Sequence, residues 1–139
     1  TCRMSRPRLM RHKLLIVDDE EATLFAMREY FSVRGFEVDC SRDKDEAVAL
    51  LSRRAYGAVI ADLRLTGSHS TEGLDIVEAV RERCPQTRTL LLTAYGSPEI
   101  EVHALRRGVD AFLHKPQPLP HVAKIVLELL GERRCAGDA

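Results

Sequence analysis

The sequence predicts an α/β protein in which a parallel sheet is covered by helices on both faces. Short apolar runs rich in Val, Ile and Leu alternate along the chain with longer segments whose apolar residues recur at helical spacing, the signature of successive βαβ crossovers. The runs also share a feature at their far ends, where Asp18 and Asp19, Asp62, Thr93 and Lys115 stand one element after another. Finally, 139 residues are enough for one domain that buries a substantial core without disulfides or metals.

Residues 1–12 are basic and without periodicity, and are expected to be a disordered or cloning-derived extension. The domain is expected to span residues 13–130, with 131–139 as a C-terminal tail. The first strand is Leu14-Leu15-Ile16-Val17, running into Asp18-Asp19. A helix over residues 20–34 follows, with Leu24, Phe31 and either Met27 or Phe25 facing inward, and Gly35 ends it. Residues 36–41 alternate as a second strand. Asp43 followed by Glu46 is a capping-box pattern, and Ala47, Val48, Leu50 and Leu51 mark the buried side of the second helix. Residues 58–63 form the third strand, a run of small, β-branched and apolar residues that reads as buried on both faces, with Asp62 near its end. Leu74, Ile76, Val77 and Val80 give a third helical stripe, which Cys84-Pro85 terminates. Residues 89–93 make the fourth strand, ending in the Thr93 hydroxyl. Ser97 as cap and Pro98 in the first turn open the fourth helix, and Gly108 closes it. Ala111-Phe112-Leu113 is a brief fifth strand leading into His114-Lys115-Pro116, and residues 120–130 form the last helix, with Val122, Ile125, Val126, Leu129 and Leu130 inward.

Five strands and five helices in alternation predict a doubly wound sheet of flavodoxin-like order 2-1-3-4-5, whose switch point lies between the first and third strands. Ligands of such sheets bind outside the carboxyl ends of the strands, where three carboxylates, a hydroxyl and an ammonium therefore converge. Carboxylates pressed together repel unless a cation compensates them. An all-oxygen acidic cluster suits Mg²⁺, a hard ion that keeps several waters and completes its shell with phosphate oxygens. A carboxylate in that setting can attack phosphorus, with Lys115 neutralising phosphoryl oxygens and Thr93 donating a hydrogen bond.

Composition excludes several classes. Lys plus Arg and Asp plus Glu both number 21, so no net charge draws the chain to nucleic acid or an anionic membrane. No apolar run approaches a membrane span or a signal-peptide core, which points to a cytoplasmic protein. The four cysteines form no Cys-x-x-Cys pair, and the five histidines show no metal-ligand spacing, with His103 and His121 on solvated helix faces.

The strings LLIVDDEE, VIADL, LLLTAYG and FLHKP, in this order and at these intervals, resemble the response regulator receiver domain of bacterial two-component signalling over nearly the whole chain. The resemblance implies that Asp62 is the phosphoacceptor, that Asp19 is a direct ligand of Mg²⁺ (or Mn²⁺), and that Asp18 helps through metal-bound water. It also makes the backbone carbonyl of Arg64 a ligand, Thr93 the switch hydroxyl, and Lys115 the phosphoryl contact ahead of a cis peptide at Pro116. Phe112 takes the place of the family's aromatic switch, and Arg64 and Tyr95 are the side chains that modulate access of the hydrolytic water. The implied partners are a histidine kinase or phosphotransfer protein upstream and, downstream, a protein or effector domain reading the face of helix 4, strand 5 and helix 5; a homodimer is compatible with that face. Two departures stand out. The polar loop from Arg64 to Glu72 is longer than the family's and holds His69, and Phe112 lacks a tyrosine hydroxyl.

Rival readings are a receiver-like module that binds without being phosphorylated, a haloacid-dehalogenase-like phosphatase and a flavodoxin-like cofactor binder. The first is opposed by the complete set Asp18, Asp19, Asp62, Thr93 and Lys115. The second requires an acid two residues after Asp62, where Arg64 stands. The third requires a Gly-rich phosphate loop after the first strand, where Asp18-Asp19 stands instead. The residues after Leu130 are too few for an output domain and contain no recognition helix, so direct nucleic-acid binding by this chain is not expected.

Overall fold

A computed structural model describes residues 12–63, 71–94 and 96–138. The elements in order are β1 (Lys13–Val17), α1 (Glu21–Val33), β2 (Glu37–Ser41), α2 (Lys44–Arg53), β3 (Ala58–Ala61), α3 (Glu72–Arg83), β4 (Arg88–Thr93), α4 (Pro98–Arg106), β5 (Ala111–His114) and α5 (Leu119–Asp138). All five strands are parallel, in the order β2-β1-β3-β4-β5, as predicted.

Successive strand residues point to opposite faces, so the central strands β1, β3 and β4 each feed two cores. Leu15, Val17, Val59, Ala61 and Leu91 face α2, α3 and α4, where Ala47, Leu51, Ile76, Val77, Val80 and Ala104 complete one layer. Leu14, Ile16, Ile60, Leu90 and Leu92 face the other way, against Leu24, Met27 and Phe31 of α1 and Val122, Val126 and Leu130 of α5. Burial on both faces is why these strands read as continuous apolar runs rather than alternating ones.

Local signals set the helix ends. The Asp43 carboxylate accepts the Glu46 backbone N–H at 2.8 Å, and the Ser97 hydroxyl accepts that of Ile100 at 3.2 Å. Gly35 and Gly108 carry φ of 93° and 101° after α1 and α4, the left-handed conformation in which a side chain is strained.

Several boundaries move. Of the two candidates for α1, Met27 is buried and Phe25 is 66% exposed. β3 ends at Ala61, so Asp62 lies just past the strand rather than within it, while β4 starts one residue early at Arg88 and β5 reaches His114. The last helix starts at Leu119 and continues through Gly131 to Asp138, beyond the expected end at Leu130. A single helical Gly costs only about 1 kcal/mol relative to Ala, and Glu132-Arg133-Arg134 resume good helix formers, so Gly131 does not stop the helix. Residues 1–11, and Arg64, His69 and Tyr95 with the roles expected of them, lie outside the described residues.

Candidate functional site

The β1 and β3 strands are neighbours, paired through Val17 and Ala61, and this pairing brings their terminal carboxylates together. The backbone extends the ladder past both strands: the Asp62 N–H donates to the Val17 carbonyl at 2.9 Å and the Asp18 N–H to the Ser41 carbonyl at 3.1 Å. Asp18 and Asp62 are buried, with 4% and 8% of their surface accessible, whereas Asp19 is exposed. Oxygens of Asp18, Asp19 and Asp62 all lie within 4.8 Å of one another.

Lys115 closes the cluster. Its ammonium donates to Asp18 Oδ2 at 2.9 Å and to Asp62 Oδ2 at 3.1 Å. The cis peptide between Lys115 and Pro116 stands where expected, and the Lys115 backbone N–H is held by the Thr93 carbonyl at 2.9 Å. Burial alone would push the Lys115 ammonium down, but the Asp18 and Asp62 carboxylates more than offset it and hold it above the ordinary lysine value. Among the described residues, three carboxylates against one ammonium leave the cluster with two formal negative charges in excess. The remaining Asp18 oxygen accepts the Glu20 N–H at 2.9 Å, which fixes that carboxylate ahead of α1.

Thr93 is fully buried at the end of β4, two residues beyond Leu91, the partner of Ala61 in the sheet. Phe112 on β5 pairs with Leu91, is half-buried against the core, and meets the His114 ring edge-on at 5.4 Å. The fold thus brings Asp18, Asp19 and Asp62 together, with Lys115 on Asp18 and Asp62, Thr93 buried at the end of β4 and Phe112 on β5 beside Leu91.

Two contributors escape sequence reasoning. Gly73, in the first turn of α3, donates its N–H to the Leu63 carbonyl at 2.9 Å, and a Cβ there would sit 2.7 Å from the Leu63 Cα and overlap the Asp62 carbonyl. Only glycine lets α3 abut the backbone that carries Asp62. Its sequence signal was a glycine just inside a helix that follows the acidic strand end. Arg42 reaches across from the β2–α2 turn to donate to the Asp19 carbonyl at 3.2 Å, and no motif foretold it.

The donor set fits a hard divalent cation: three carboxylates within one coordination sphere's reach, no sulfur or imidazole among them, and negative charge in excess. Such a set can hold a cation and can present a carboxylate to an electrophile such as phosphorus.

Comparison with known proteins agrees with this geometry. The family model described as response regulator receiver domain matches residues 14–127. The acid tolerance regulatory protein ActR of Rhizobium meliloti is 34% identical over 120 residues, and the photosynthetic apparatus regulatory protein RegA of Rhodobacter capsulatus is 33% identical over 114. These matches take in 86% and 82% of this chain but 60% of each relative, so the chain spans well under two thirds of their length. The fold is shared with a CheY-like receiver domain protein from Methanospirillum hungatei, at a TM-score of 0.83 and 24% identity, covering 89% of this chain and 97% of that one. A response regulator from Burkholderia pseudomallei, solved with a phosphorylated aspartic acid and a calcium ion, superposes at a TM-score of 0.77 with 25% identity, over 91% of this chain and 72% of that one.

Proposed function

This chain belongs to the response regulator receiver domain family, and on that premise we propose that it is a phosphoacceptor switch in which Asp62 takes a phosphoryl group from a histidine kinase or phosphotransfer protein. The observation that carries the reading is the Lys115 ammonium bridging Asp18 and Asp62 at 2.9 and 3.1 Å inside a cluster that still has excess negative charge. The Burkholderia regulator with its phosphorylated aspartic acid supports it by likeness.

An Asp62 carboxylate oxygen attacks the phosphorus of the donor phosphohistidine. The new O–P bond forms as the P–N bond breaks, and the imidazole leaves with a proton from solvent. Asp18, Asp19, Asp62 and the Arg64 backbone carbonyl are the groups that would hold Mg²⁺ or Mn²⁺, which supplies charge neutralisation at the phosphoryl oxygens. Lys115, already beside Asp62, shifts from carboxylate to phosphoryl oxygen and keeps its positive charge throughout. The Thr93 hydroxyl turns toward the phosphoryl group, Phe112 moves inward into the vacated space, and the face made by α4, β5 and α5 changes for a partner to read. Arg64 and Tyr95, which lie outside the described residues, are proposed from the family resemblance alone to modulate hydrolysis of the acyl phosphate.

Catalysis in this reading is limited to the protein's own phosphorylation and dephosphorylation, in the bacterial cytoplasm. Among the described residues no helix is long and apolar enough to cross a membrane. Acetyl phosphate with Mg²⁺ tests the reading by intact mass: one phosphate adduct that needs the metal and is absent from Asp62→Asn supports it. A protein that neither gains phosphate nor consumes the donor refutes it.

A further inference from the structure

The connection between β4 and α4 holds a glycine whose backbone does not call for one. Positive φ among the described glycines is found at Gly35 and Gly108, not at Gly96. Alanine at a position of ordinary φ normally stabilises a protein by restricting the unfolded chain, so glycine here needs another explanation. Space supplies it. A Cβ on Gly96 would stand 2.8 Å from His114 Cε1, 2.9 Å from Phe112 Cε1 and 3.0 Å from Phe112 Cζ. Both obstructing groups are ring tips, and the two rings pack against each other edge-on at 69°. Phe112 is the proposed switch aromatic, and His114 directly precedes Lys115 and pairs with Thr93 in the sheet. The space left by Gly96 thus holds the tips of an aromatic pair carried by β5.

We propose that Gly96 is the positioning residue of this switch: the space it leaves admits the Phe112 and His114 rings together, and so sets where Phe112 rests before Asp62 is phosphorylated. The proposal rests on the reading of Phe112 as a moving element, and adds to it the residue that defines one of its two positions. A methyl group at 96 denies the rings that place, and because Phe112 is only half-buried and His114 is exposed, it is the ring tips that move. Phe112 then leaves the slot without any phosphoryl group, and less of its movement remains for phosphorylation to drive.

Carbon-13 labelling of the four phenylalanine rings, with Phe112 assigned through Phe112→Leu, reads this directly by NMR. In Gly96→Ala the Phe112 signals are expected to move further than those of Phe25, Phe31 and Phe36, and to respond less than wild type to beryllofluoride with Mg²⁺. Unmoved Phe112 signals in Gly96→Ala, with a wild-type response to beryllofluoride, overturn the proposal and leave the switch reading standing. Phe112 signals that ignore beryllofluoride in a wild-type protein that has taken it up sink the switch reading, and the Gly96→Ala displacement is scored separately. A thermal cycle covers loss of folding: Gly96→Ala is expected to lower Tm in the wild-type background and not in Phe112→Ala/His114→Ala. An equal loss in both backgrounds, or failure of both to fold, overturns the proposal.

Discussion

The two edges of the sheet both hold buried or half-buried charge, yet they are built on opposite principles. At the amino-terminal side, Asp39 and Asp110 each face one guanidinium. Asp39 meets Arg54 at 2.9 Å and accepts the Tyr56 hydroxyl at 2.6 Å, while Asp110 meets Arg88 at 3.1 Å and accepts the Thr89 N–H at 2.8 Å. The carboxyl-terminal edge instead gathers three carboxylates around one ammonium. A balanced cluster ties elements together and needs nothing more. An unbalanced one is held in place by the surrounding fold and gains most from a cation brought from outside. Charge balance, rather than burial of charge as such, separates the balanced sites among the described residues from the proposed functional one.

Substitutions can break that contrast, and their effects should rank accordingly. Asp62→Asn removes the nucleophile and one of the repelling carboxylates together. Phosphorylation, followed by intact mass, is expected to vanish while Tm holds or rises; a lowered Tm would show that the cluster is structural after all. Lys115→Ala leaves Asp18 and Asp62 facing each other, and the loss of a donor aimed at developing charge is expected to slow phosphorylation by about 10²–10³-fold in single-turnover kinetics.

Mg²⁺ is expected to stabilise the wild-type protein by about 2.7 kcal/mol at one hundred times its Kd, seen as a concentration-dependent rise in Tm, and to do much less for Asp19→Asn. Tyr56→Phe, at the balanced edge, is expected to lose about 1–2 kcal/mol of stability in denaturant unfolding with the phosphorylation rate unchanged. A changed rate there would erase the distinction between the edges.

The smallest effects belong to pH. Lys115 is held above the ordinary lysine value when folded, so its contribution is complete below its unfolded pKa of about 10.4 and disappears only as pH climbs through the higher folded value. Burial and the Asp39 carboxylate likewise raise the Tyr56 hydroxyl, favouring its neutral form in the folded protein, and that contribution is also lost only in alkali. Stability from both groups should be level from neutrality to about pH 10 and decline above it, with a gentler decline in each of Lys115→Met and Tyr56→Phe.

Much of this contrast was legible in the residues, for physical reasons. Strands buried on both faces are marked by apolar runs that ordinary helices and loops lack, and the polar residue ending each run falls on one edge once the strands are parallel. Asp18, Asp19, Asp62, Thr93 and Lys115 could therefore be grouped without coordinates. Met27 could not be told from Phe25, because both were offered by the helical spacing and only the packing of α1 on the sheet buries one of them. The roles of Gly73 and Gly96 were hidden for a different reason: a glycine kept for space looks like any other until the neighbouring Asp62 carbonyl or Phe112 ring is in view. The partners of Arg42 and of Asp39 depend on contacts between segments 15 or more residues apart, which periodicity does not encode.

An unbalanced edge that serves one acceptor should carry the phosphoryl group on one residue, and borohydride trapping after acetyl phosphate treatment finds which. Reduction of an acyl phosphate converts the aspartate to homoserine, which peptide mapping locates. Homoserine at Asp62, formed only when Mg²⁺ is present, is the predicted result; homoserine at Asp18 or Asp19, or at Asp62 with equal yield in the absence of metal, would contradict the account.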